Sequence, residues 1–433
     1  MQPTERQQAI LAAPGHLLVT GGPGSGKTTV SILKAALIAE HGLRPAQNVL
    51  FVSFARATVS RVVEAIEYEQ SIPKEQKRRI VVETYHSWFW RLLRGHGYLV
   101  GLPRRLSILT PPAEAIVLST IRRDYPSEGK LTQAERDERD ARLEAERRRL
   151  AIEEGRVCFD LFAPIVGDIL VESDRIRQLV AAMYPFIILD EFQDTNAPQW
   201  RVVEAVGQHC TLLALADPEQ RIYDFIGADP ERMNHFRAAF APTEVDLSTE
   251  NHRSAGTEIL LFANHALKGD FQQNAYVGVS VRAYEANANQ AKGTVVTATY
   301  AARKRLVDLG LKDWSLAILV PTKRMTRLVS DALRSPPGGM AEVPHAAAIE
   351  LEAAILAAEV IAFLMQPDQD GRHFERFLDL LRSYFRGRGG DSPSQKDLNE
   401  ADTIRAAYAD LETRRAARKE PRQNSVLVAI LKT

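Results

Sequence analysis

The chain has 433 residues, 45% of them hydrophobic and 25% charged, which is ordinary for a globular protein of about two to four domains. Its 55 basic and 55 acidic side chains give a formal net charge of zero, so bulk charge gives no argument for a nucleic-acid partner. Its two cysteines exclude a disulfide framework and a cysteine-rich zinc site. The N-terminal residues are polar, and no apolar stretch is long enough to span a bilayer. We therefore expect a cytoplasmic protein with no membrane partner.

A glycine-rich segment follows the first apolar run, Leu17–Thr20. It has the pattern Gly-x-x-x-x-Gly-Lys-Thr and consists of Gly21, Gly22, Pro23, Gly24, Ser25, Gly26, Lys27 and Thr28. A helix-like stretch begins at Thr29, so the sequence predicts a strand, a phosphate-binding loop and a helix whose dipole favours anions. Lys27 would reach the outer phosphates and Thr28 would ligate Mg²⁺. A plain glycine turn is the alternative, but the Lys-Thr ending favours a nucleoside triphosphate site.

Strand-like and helix-like segments alternate around this loop and again after residue 185. Strands are predicted at Val49–Ser53, 80–82, Phe186–Leu189 and Thr211–Ala216, and helices at 56–69 and 198–206. This alternation is typical of an α/β fold with a parallel sheet flanked by helices. The intervening residues 88–182 have helical patterns instead, and 133–154 hold fourteen charged side chains in twenty-two positions, which is typical of a solvated helix. This region therefore indicates a helical insertion.

A second α/β pattern begins after Thr249. Strands are predicted at 294–299 and 316–320, a helix at 323–334, and a long apolar helix at 346–365. The remaining residues, 372–433, are predicted to be helical, with a basic glycine-rich loop at 386–390.

Two adjacent carboxylates, Asp190 and Glu191, come directly after the apolar strand Phe186–Leu189. Such a pair supplies the second half of a P-loop site, where Asp190 would hold Mg²⁺ and Glu191 would orient and deprotonate the attacking water. A solvated strand end is the alternative, which the complete phosphate loop upstream disfavours.

The carboxylate pair opens the sequence Asp-Glu-Phe-Gln-Asp-Thr-Asn, with Gln199 beyond it, and this stretch resembles motif II of the UvrD/Rep-type superfamily 1 DNA helicases. Other segments match the same series in order. Gln7 resembles the adenine-reading glutamine that precedes the loop in this family. Residues 52–55 resemble motif Ia, residues 84–87 resemble motif Ib, residues 217–228 resemble motif III and residues 251–254 resemble motif IV. So many motifs in a consistent order leave little room for coincidence.

The resemblance implies a role for each matching residue. The loop, Gln7, Thr29 and His252 would bind the nucleotide, and Thr28 and Asp190 would bind the metal. The catalytic residues would be Lys27, Glu191, Gln220 and Arg253. The contacts to single-stranded DNA would be made by Phe54, Thr84, His86, Tyr223 and Phe225. Arg253 would act as an arginine finger supplied by the second domain. For Phe54 and Tyr223 the alternative is ordinary packing, and for His86 a structural histidine.

Some positions depart from the family pattern. Thr29 stands where the family usually has Arg, and His252 where it usually has Tyr, so the planar surface for stacking the base is reduced. We therefore expect nucleotide binding that is weaker or less selective for the base. Ile226 replaces a commonly basic residue, which we expect to loosen one DNA or interdomain contact.

The resemblance also implies a fold. We expect an α/β, P-loop (RecA-like) parallel-sheet domain with a helical insertion, followed by part of a second RecA-like domain and the start of a helical subdomain. The expected bounds are 1–87 and 184–249 for the first domain, 88–183 for its insertion, 250–367 for the front part of the second domain and 368–433 for the helical subdomain. Motifs V and VI of the family have no counterpart in this sequence, so we expect an ATP-hydrolysing DNA helicase of which this is the front portion, and the missing motifs give weight to the alternative of a chain that is inactive by itself.

The leading hypothesis is a DNA helicase or translocase that uses ATP and Mg²⁺ to move 3′-to-5′ on single-stranded DNA or at junctions with duplex, in repair, replication or defence. The alternative is a truncated or partner-dependent nucleotide- and DNA-binding module that does not unwind DNA alone, such as the helicase subunit of a nuclease or defence complex. Its partner would be a nuclease or a repair protein. A P-loop kinase or GTPase is disfavoured, because Gln220, Arg253 and Phe54 have no reason to occur together there.

Overall fold

The structure, a computed structural model, describes residues 3–126, 128–219, 229–285, 287–336, 338 and 340–347. The predictions that lie outside the described residues are those for Gln220, Tyr223, Phe225 and Ile226, for the helical segment 372–433 with its basic loop, and for most of the helix at 346–365. The chain divides into two compact units, one of Met1–Glu114 and Tyr125–Val279 and the other of Ala115–Asp124 and Ser280–Thr433. The domain boundaries expected from the sequence stay predictions.

Strands and helices are numbered in chain order. The strands are β1 Leu17–Thr20, β2 Val49–Ser53, β3 Ile80–Thr84, β4 Ser107–Leu109, β5 Arg156–Cys158, β6 Phe186–Leu189, β7 Thr211–Ala216 and β8 Thr243–Asp246. The helices are α1 Glu5–Ala12, α2 Lys27–His41, α3 Arg56–Tyr68, α4 Lys74–Lys77, α5 Tyr85–His96, α6 Pro111–Val117, α7 Ser119–Arg123, α8 Gln133–Glu154, α9 Phe162–Glu172, α10 Asp174–Met183, α11 Ala197–Gly207, α12 Arg232–Phe240, α13 Ile259–Lys268, α14 Ala288–Asp308 and α15 Lys323–Arg334. Short 3-10 helices lie at Gly97–Val100, Glu128–Lys130, Phe159–Leu161 and Phe192–Asp194. Within the described residues, no helix combines the length and apolar character needed to cross a membrane.

Six parallel strands form the main sheet of the first unit, in the order β3-β2-β6-β7-β1-β8. Strands β2 and β6 are buried at every position, and β7 at all but its first, which explains why their sequences are continuous apolar runs. Because the strands are parallel, the segments that follow β1, β6 and β7 meet at one edge of the sheet. The predicted parallel α/β sheet is confirmed.

Apolar side chains of α1, α2 and α3 pack against the main sheet. Ile10 of α1, Val30 and Ile32 of α2, and Val62 and Ile66 of α3 are buried in one core with the strands. Burial of an aliphatic side chain of this size stabilises a fold by about 1.5–3 kcal/mol. The start of α2 is therefore fixed against the sheet, and the loop that precedes it is anchored at both ends.

The predicted charged helix is confirmed as α8. It begins with a capping box, in which the Thr132 hydroxyl accepts from the Glu135 amide and the Glu135 carboxylate accepts from the Thr132 amide. An i,i+4 ion pair of 2.9 Å joins Glu144 and Arg148 on its surface. The same region also holds a small parallel sheet of β4 and β5, which the sequence did not predict because strands of three residues carry no readable periodicity.

Two strand predictions for the second unit are wrong. Residues 294–299 lie inside helix α14, and residues 316–320 form no strand. The β-branched residues at 294–299 have high strand propensity, but Val296 is fully buried in a small core with Leu333 of α15 and Val343. Packing of one helical face outweighs the local propensity there. Helix α15 confirms the prediction of a helix in this part of the chain.

Arg232, the first residue of α12, is only 1% exposed. Its Nε donates to the Thr195 carbonyl at 3.0 Å, its guanidinium pairs with Asp229 at 3.4 Å, and it lies 5.3 Å from the centre of the Trp200 ring. Burial lowers the pKa of Arg232, and the charge of Asp229 opposes this. The guanidinium thereby ties α12 to the segment that follows β6, where the carboxylate pair lies.

Replacing Arg232 with Met should lower the free energy of unfolding by about 2–4 kcal/mol, because a buried carbonyl and a partly buried carboxylate lose their partner. Arg237→Met on the same helix removes a 40% exposed guanidinium paired with Glu244, and should cost less than about 1 kcal/mol. Urea unfolding of both variants measures the two losses. Equal losses would contradict a specific role for the buried arginine.

Candidate nucleotide-binding site

The predicted phosphate loop connects β1 to α2 and turns at two glycines with left-handed backbones, Gly24 with φ 78° and Gly26 with φ 89°. A Cβ atom at Gly24 would lie 2.6 Å from Arg253 Cβ, and one at Gly26 would lie 2.8 Å from the amide nitrogen of Gln7. Any other residue would strain the backbone at both positions, and at Gly24 it would also collide with Arg253. The two glycines thus allow Arg253 and Gln7 to approach the loop closely.

Lys27 lies between the loop and a group of acidic side chains. Its Nζ donates to the carbonyls of Gly21 at 2.5 Å and Gly22 at 3.1 Å. Burial lowers the pKa of Lys27, and three carboxylates oppose this, Asp217 most strongly and then the pair after β6. The ammonium is therefore placed to exchange loop carbonyls for the oxygens of a phosphate.

The carboxylate pair after β6 is held by neighbouring side chains. Ser53 at the end of β2 donates to Asp190 at 3.0 Å, and Gln193 donates to Glu191 at 2.8 Å. Asp190 is 5% exposed, and burial, together with the charge of Glu191, raises its pKa to about 6. Glu191 has a φ of 50°, a left-handed conformation that is uncommon for residues other than glycine and that turns the chain sharply after the strand.

Asp217 and Gln193 belong to this site, although the sequence analysis gave them no role. Asp217 follows β7, which lies between β6 and β1, so its carboxylate stands between the carboxylate pair and the loop. Burial raises the pKa of Asp217, and the charge of Lys27 opposes this. Gln193 is buried, and its side-chain oxygen accepts from the Asp217 amide at 3.0 Å. An acidic residue directly after an apolar strand was a visible signal for Asp217, as it was for Asp190.

Oxygen atoms suited to Mg²⁺ are available beside the loop. The hydroxyl of Ser25 and the Oδ2 atom of Asp217 are buried without a hydrogen-bond partner among the described residues, and such atoms are candidates for contact with a bound ion or its waters. No group of three or more acidic, His or Cys side chains suited to a metal occurs in the described parts of the chain. The hydroxyl and carboxylate oxygens of Ser25 and Asp217 fit Mg²⁺, which is commonly held by one or two protein oxygens together with substrate phosphates. Thr28 and Asp190 are the predicted ligands.

Two of the residues predicted to contact the base, Gln7 and His252, lie against Gly26 of the loop. The backbone amide of His252 donates to the carbonyl of Gly24 at 2.8 Å. The charge of Arg253 contributes to lowering the pKa of Lys27, so the predicted arginine finger is close to the same ammonium. Both residues belong to the first compact unit, as the loop does. Thr29 is exposed to solvent.

Three predicted DNA contacts lie where β2 and β3 end, at the same edge of the sheet. The half-buried ring of Phe54 packs on Tyr85 with 4.7 Å between ring centres. Thr84 is buried and caps α5, since its hydroxyl accepts from a backbone amide at 3.1 Å. His86 packs edge-on against Phe159, and burial lowers its pKa. Each of the three has a structural contact of its own, and their role in DNA binding stays a prediction.

The strand order, the glycine loop after β1 and the carboxylates after β6 and β7 define a P-loop protein with a RecA-like sheet. Residues 2–154 and 132–241 match the sequence profile of the UvrD/REP helicase N-terminal domain, which together is more than half of the chain. The chain therefore belongs to the UvrD/REP helicase family.

Individual relatives are between 23% and 26% identical to this chain over the matched residues. The chain is 26% identical over 277 residues to YjcD of Bacillus subtilis (strain 168), a protein provisionally named as an ATP-dependent DNA helicase, with 58% of this chain and 36% of YjcD covered. It is 24% identical over 364 residues to the ATP-dependent DNA helicase PcrA of Staphylococcus aureus (strain Mu50), with 76% of this chain and 49% of PcrA covered. The PcrA of Staphylococcus epidermidis is 23% identical over the same length. The chain thus spans half or less of the length of these relatives.

Asp190→Asn should stabilise the protein at about pH 7.5 in buffer without nucleotide or divalent metal. The pKa of Asp190, about 6 in the folded state, exceeds its ordinary value of 3.8, so the folded state binds more protons and the parent loses stability as the pH rises from about 4 to 6. The neutral amide avoids this loss, and the gain in the free energy of unfolding should be about 3 kcal/mol at neutral pH and vanish near pH 4. Thermal melting across this pH range checks the result. A difference between the two proteins that does not change with pH would contradict it.

Thr84→Ala should lower the free energy of unfolding by about 1 kcal/mol, because α5 loses its N-cap. Thr84→Ser keeps the hydroxyl and should retain most of that stability. Urea unfolding of the two variants gives the comparison. Identical stability of the alanine variant and the parent would show that the cap contributes nothing.

Proposed function

We propose that this chain is the nucleotide-binding motor portion of an ATP-dependent DNA helicase or translocase of the UvrD/PcrA type. The observation that carries the proposal is the gathering of Lys27, the carboxylates after β6 and β7, and Arg253 around one glycine loop. The PcrA relatives are named ATP-dependent DNA helicases, and the proposal extends this activity to the present chain. Movement from 3′ to 5′ and a role in DNA repair, replication or defence come from the family resemblance, and action in the cytoplasm comes from the composition of the sequence.

The proposed chemistry assigns one task to each side chain. Lys27 leaves the carbonyls of Gly21 and Gly22 and neutralises the outer phosphates of ATP. Glu191, oriented by its hydrogen bond from Gln193, accepts a proton from the attacking water, and Arg253 stabilises the charge that develops on the transferred phosphate.

Mg²⁺, when bound, would neutralise charge on the phosphate oxygens, and Thr28 and Asp190 are the residues proposed to hold it. The hydrogen bond from Ser53 holds the carboxylate of Asp190 in place. The raised pKa of Asp190 means that its ionised carboxylate, the form present at neutral pH, is costly without a cation and is stabilised by one. Nucleotide and cation should therefore bind together, since each compensates the charge of the other.

Single-stranded DNA, alone or at a junction with duplex, is the proposed second substrate. Phe54 would stack a base, which contributes roughly 1–3 kcal/mol per base without regard to sequence, while Thr84 and His86 lie nearby at the end of β3. Ser53 and Phe54 are consecutive residues, one bonded to the carboxylate that would hold Mg²⁺ and the other proposed to contact DNA. A small movement of this strand end on nucleotide binding would therefore reach the DNA contact directly.

Glu191→Gln should leave ATP binding intact and lower the rate of ATP hydrolysis in the presence of single-stranded DNA by about a hundredfold or more, because the proton acceptor is lost. Glu64→Gln, at an exposed carboxylate of α3, is the matched control and should change the rate less than about twofold. Steady-state phosphate release, with and without single-stranded DNA, is the measurement. An unchanged DNA-stimulated rate in Glu191→Gln would refute the assigned base.

The same assay separates the proposal from its alternative. Strong stimulation of hydrolysis by DNA in the parent chain supports a working motor. Binding of ATP and DNA with negligible turnover instead supports a nucleotide- and DNA-binding module that depends on a nuclease or repair partner for activity.

A further inference from the structure

Glu250 contacts both of the chain segments that carry the predicted base contacts, Gln7 and His252. Its side chain is 12% exposed. One carboxylate oxygen accepts from the Thr4 hydroxyl at 2.8 Å, and the other accepts from the Gln7 side-chain amide at 3.4 Å and lies 3.1 Å from His252 Nε2. A single carboxylate thus holds the beginning of α1 and the segment that carries His252.

These contacts fix which way the Gln7 amide faces. Its oxygen accepts from the Thr4 backbone amide at 3.2 Å, and its nitrogen donates to Glu250. An amide oxygen can accept a second hydrogen bond and the amide nitrogen can donate a second one, so one acceptor and one donor remain. This pair complements the adjacent N6 donor and N7 acceptor of adenine, whereas guanine offers two acceptors at the same edge.

The amide and the His252 ring both lie against Gly26. A Cβ atom built there would lie 2.8 Å from the Gln7 nitrogen and 3.5 Å from His252 Cδ2. Because the carboxylate accepts a hydrogen bond, the His252 tautomer with a proton on Nε2 is favoured, and the ring plane is set by the same contact. The two groups predicted to meet the base are therefore oriented by one residue.

We propose that Glu250 is a positioning residue that orients Gln7 and His252 for recognition of the adenine base, and so sets the preference for ATP over GTP. This inference rests on the proposed nucleotide site. Glu250 acts as a hydrogen-bond acceptor, and the side chains it contacts are Thr4 and the two predicted base contacts, Gln7 and His252. Its removal should consequently weaken the binding of the base and leave the binding of the phosphates unchanged.

The test compares three ligands on the full chain with Mg²⁺: ATP, GTP and inorganic tripolyphosphate, which has no base. Glu250→Ala should weaken ATP binding about tenfold, bring the affinities for ATP and GTP close together, and change tripolyphosphate binding less than about twofold. Glu250→Gln should retain the ATP preference within about threefold, because its amide nitrogen can donate to the Thr4 hydroxyl while its oxygen still accepts from Gln7 and His252. Glu5→Ala, at an exposed carboxylate on α1, is the matched control and should bind all three ligands like the parent.

A double-substitution cycle tests whether Glu250 acts through Gln7. The loss of ATP affinity in Gln7→Ala/Glu250→Ala should be smaller than the product of the two single losses. A full product would overturn the inference, as would an equal loss of ATP and tripolyphosphate binding in Glu250→Ala, which marks a general structural defect. Thermal melting identifies a variant that fails to fold, and in that case Glu250→Asp replaces the alanine variant, with the same expected loss of base preference. If the parent chain binds neither ATP nor tripolyphosphate, the proposed function itself fails and this inference fails with it.

Discussion

The charge balance around Lys27 is the constraint on which the rest of the site depends. The sheet brings the carboxylates of Asp190, Glu191 and Asp217 to one edge, and burial raises the pKa of the first and the last of them. The ammonium of Lys27 opposes both shifts, and the loop carbonyls hold it in place. A triphosphate adds negative charge to the same volume, so the site favours a triphosphate that binds together with Mg²⁺. The acidic cluster is thus a reason for the Mg²⁺ requirement that we propose.

The position of these carboxylates follows from strand order rather than from sequence distance. β7 lies between β6 and β1, and so the segment after β7 enters the space between the phosphate loop and the carboxylate pair. β2 pairs with β6 on its other side, which brings Ser53 into contact with Asp190. Each residue beside the carboxylate pair therefore lies at the end of an adjacent parallel strand. Side chains from distant parts of the chain thus lie together at one edge of the sheet.

The sequence was informative wherever the signal is local. The loop, the strand before Asp190 and the charged helix are each defined by residues that are consecutive in the chain, and these predictions are confirmed. Gln193 and Glu250 could not be assigned in this way, because their importance comes from partners far away in the sequence. The strand predicted at 294–299 failed because β-branched residues favour strands on average, and the local preference carries no information about the core that buries Val296. Sequence motifs therefore predicted the residues of both the phosphate side and the base side of the candidate site, while the contacts of Gln193 and Glu250 came only from the structure.

The contact between Thr4 and Glu250 spans 246 positions, and it has a consequence for how the first unit is made. During synthesis at roughly 5–20 residues per second, tens of seconds separate the emergence of α1 from that of its partner. β1 likewise cannot pair in the sheet until its two neighbouring strands, β7 and β8, have been synthesised. The nascent chain therefore exposes the apolar strand before the phosphate loop until most of the unit has left the ribosome. We therefore expect β1 to be among the last strands of the sheet to pair, with its apolar side chains open to aggregation in that interval.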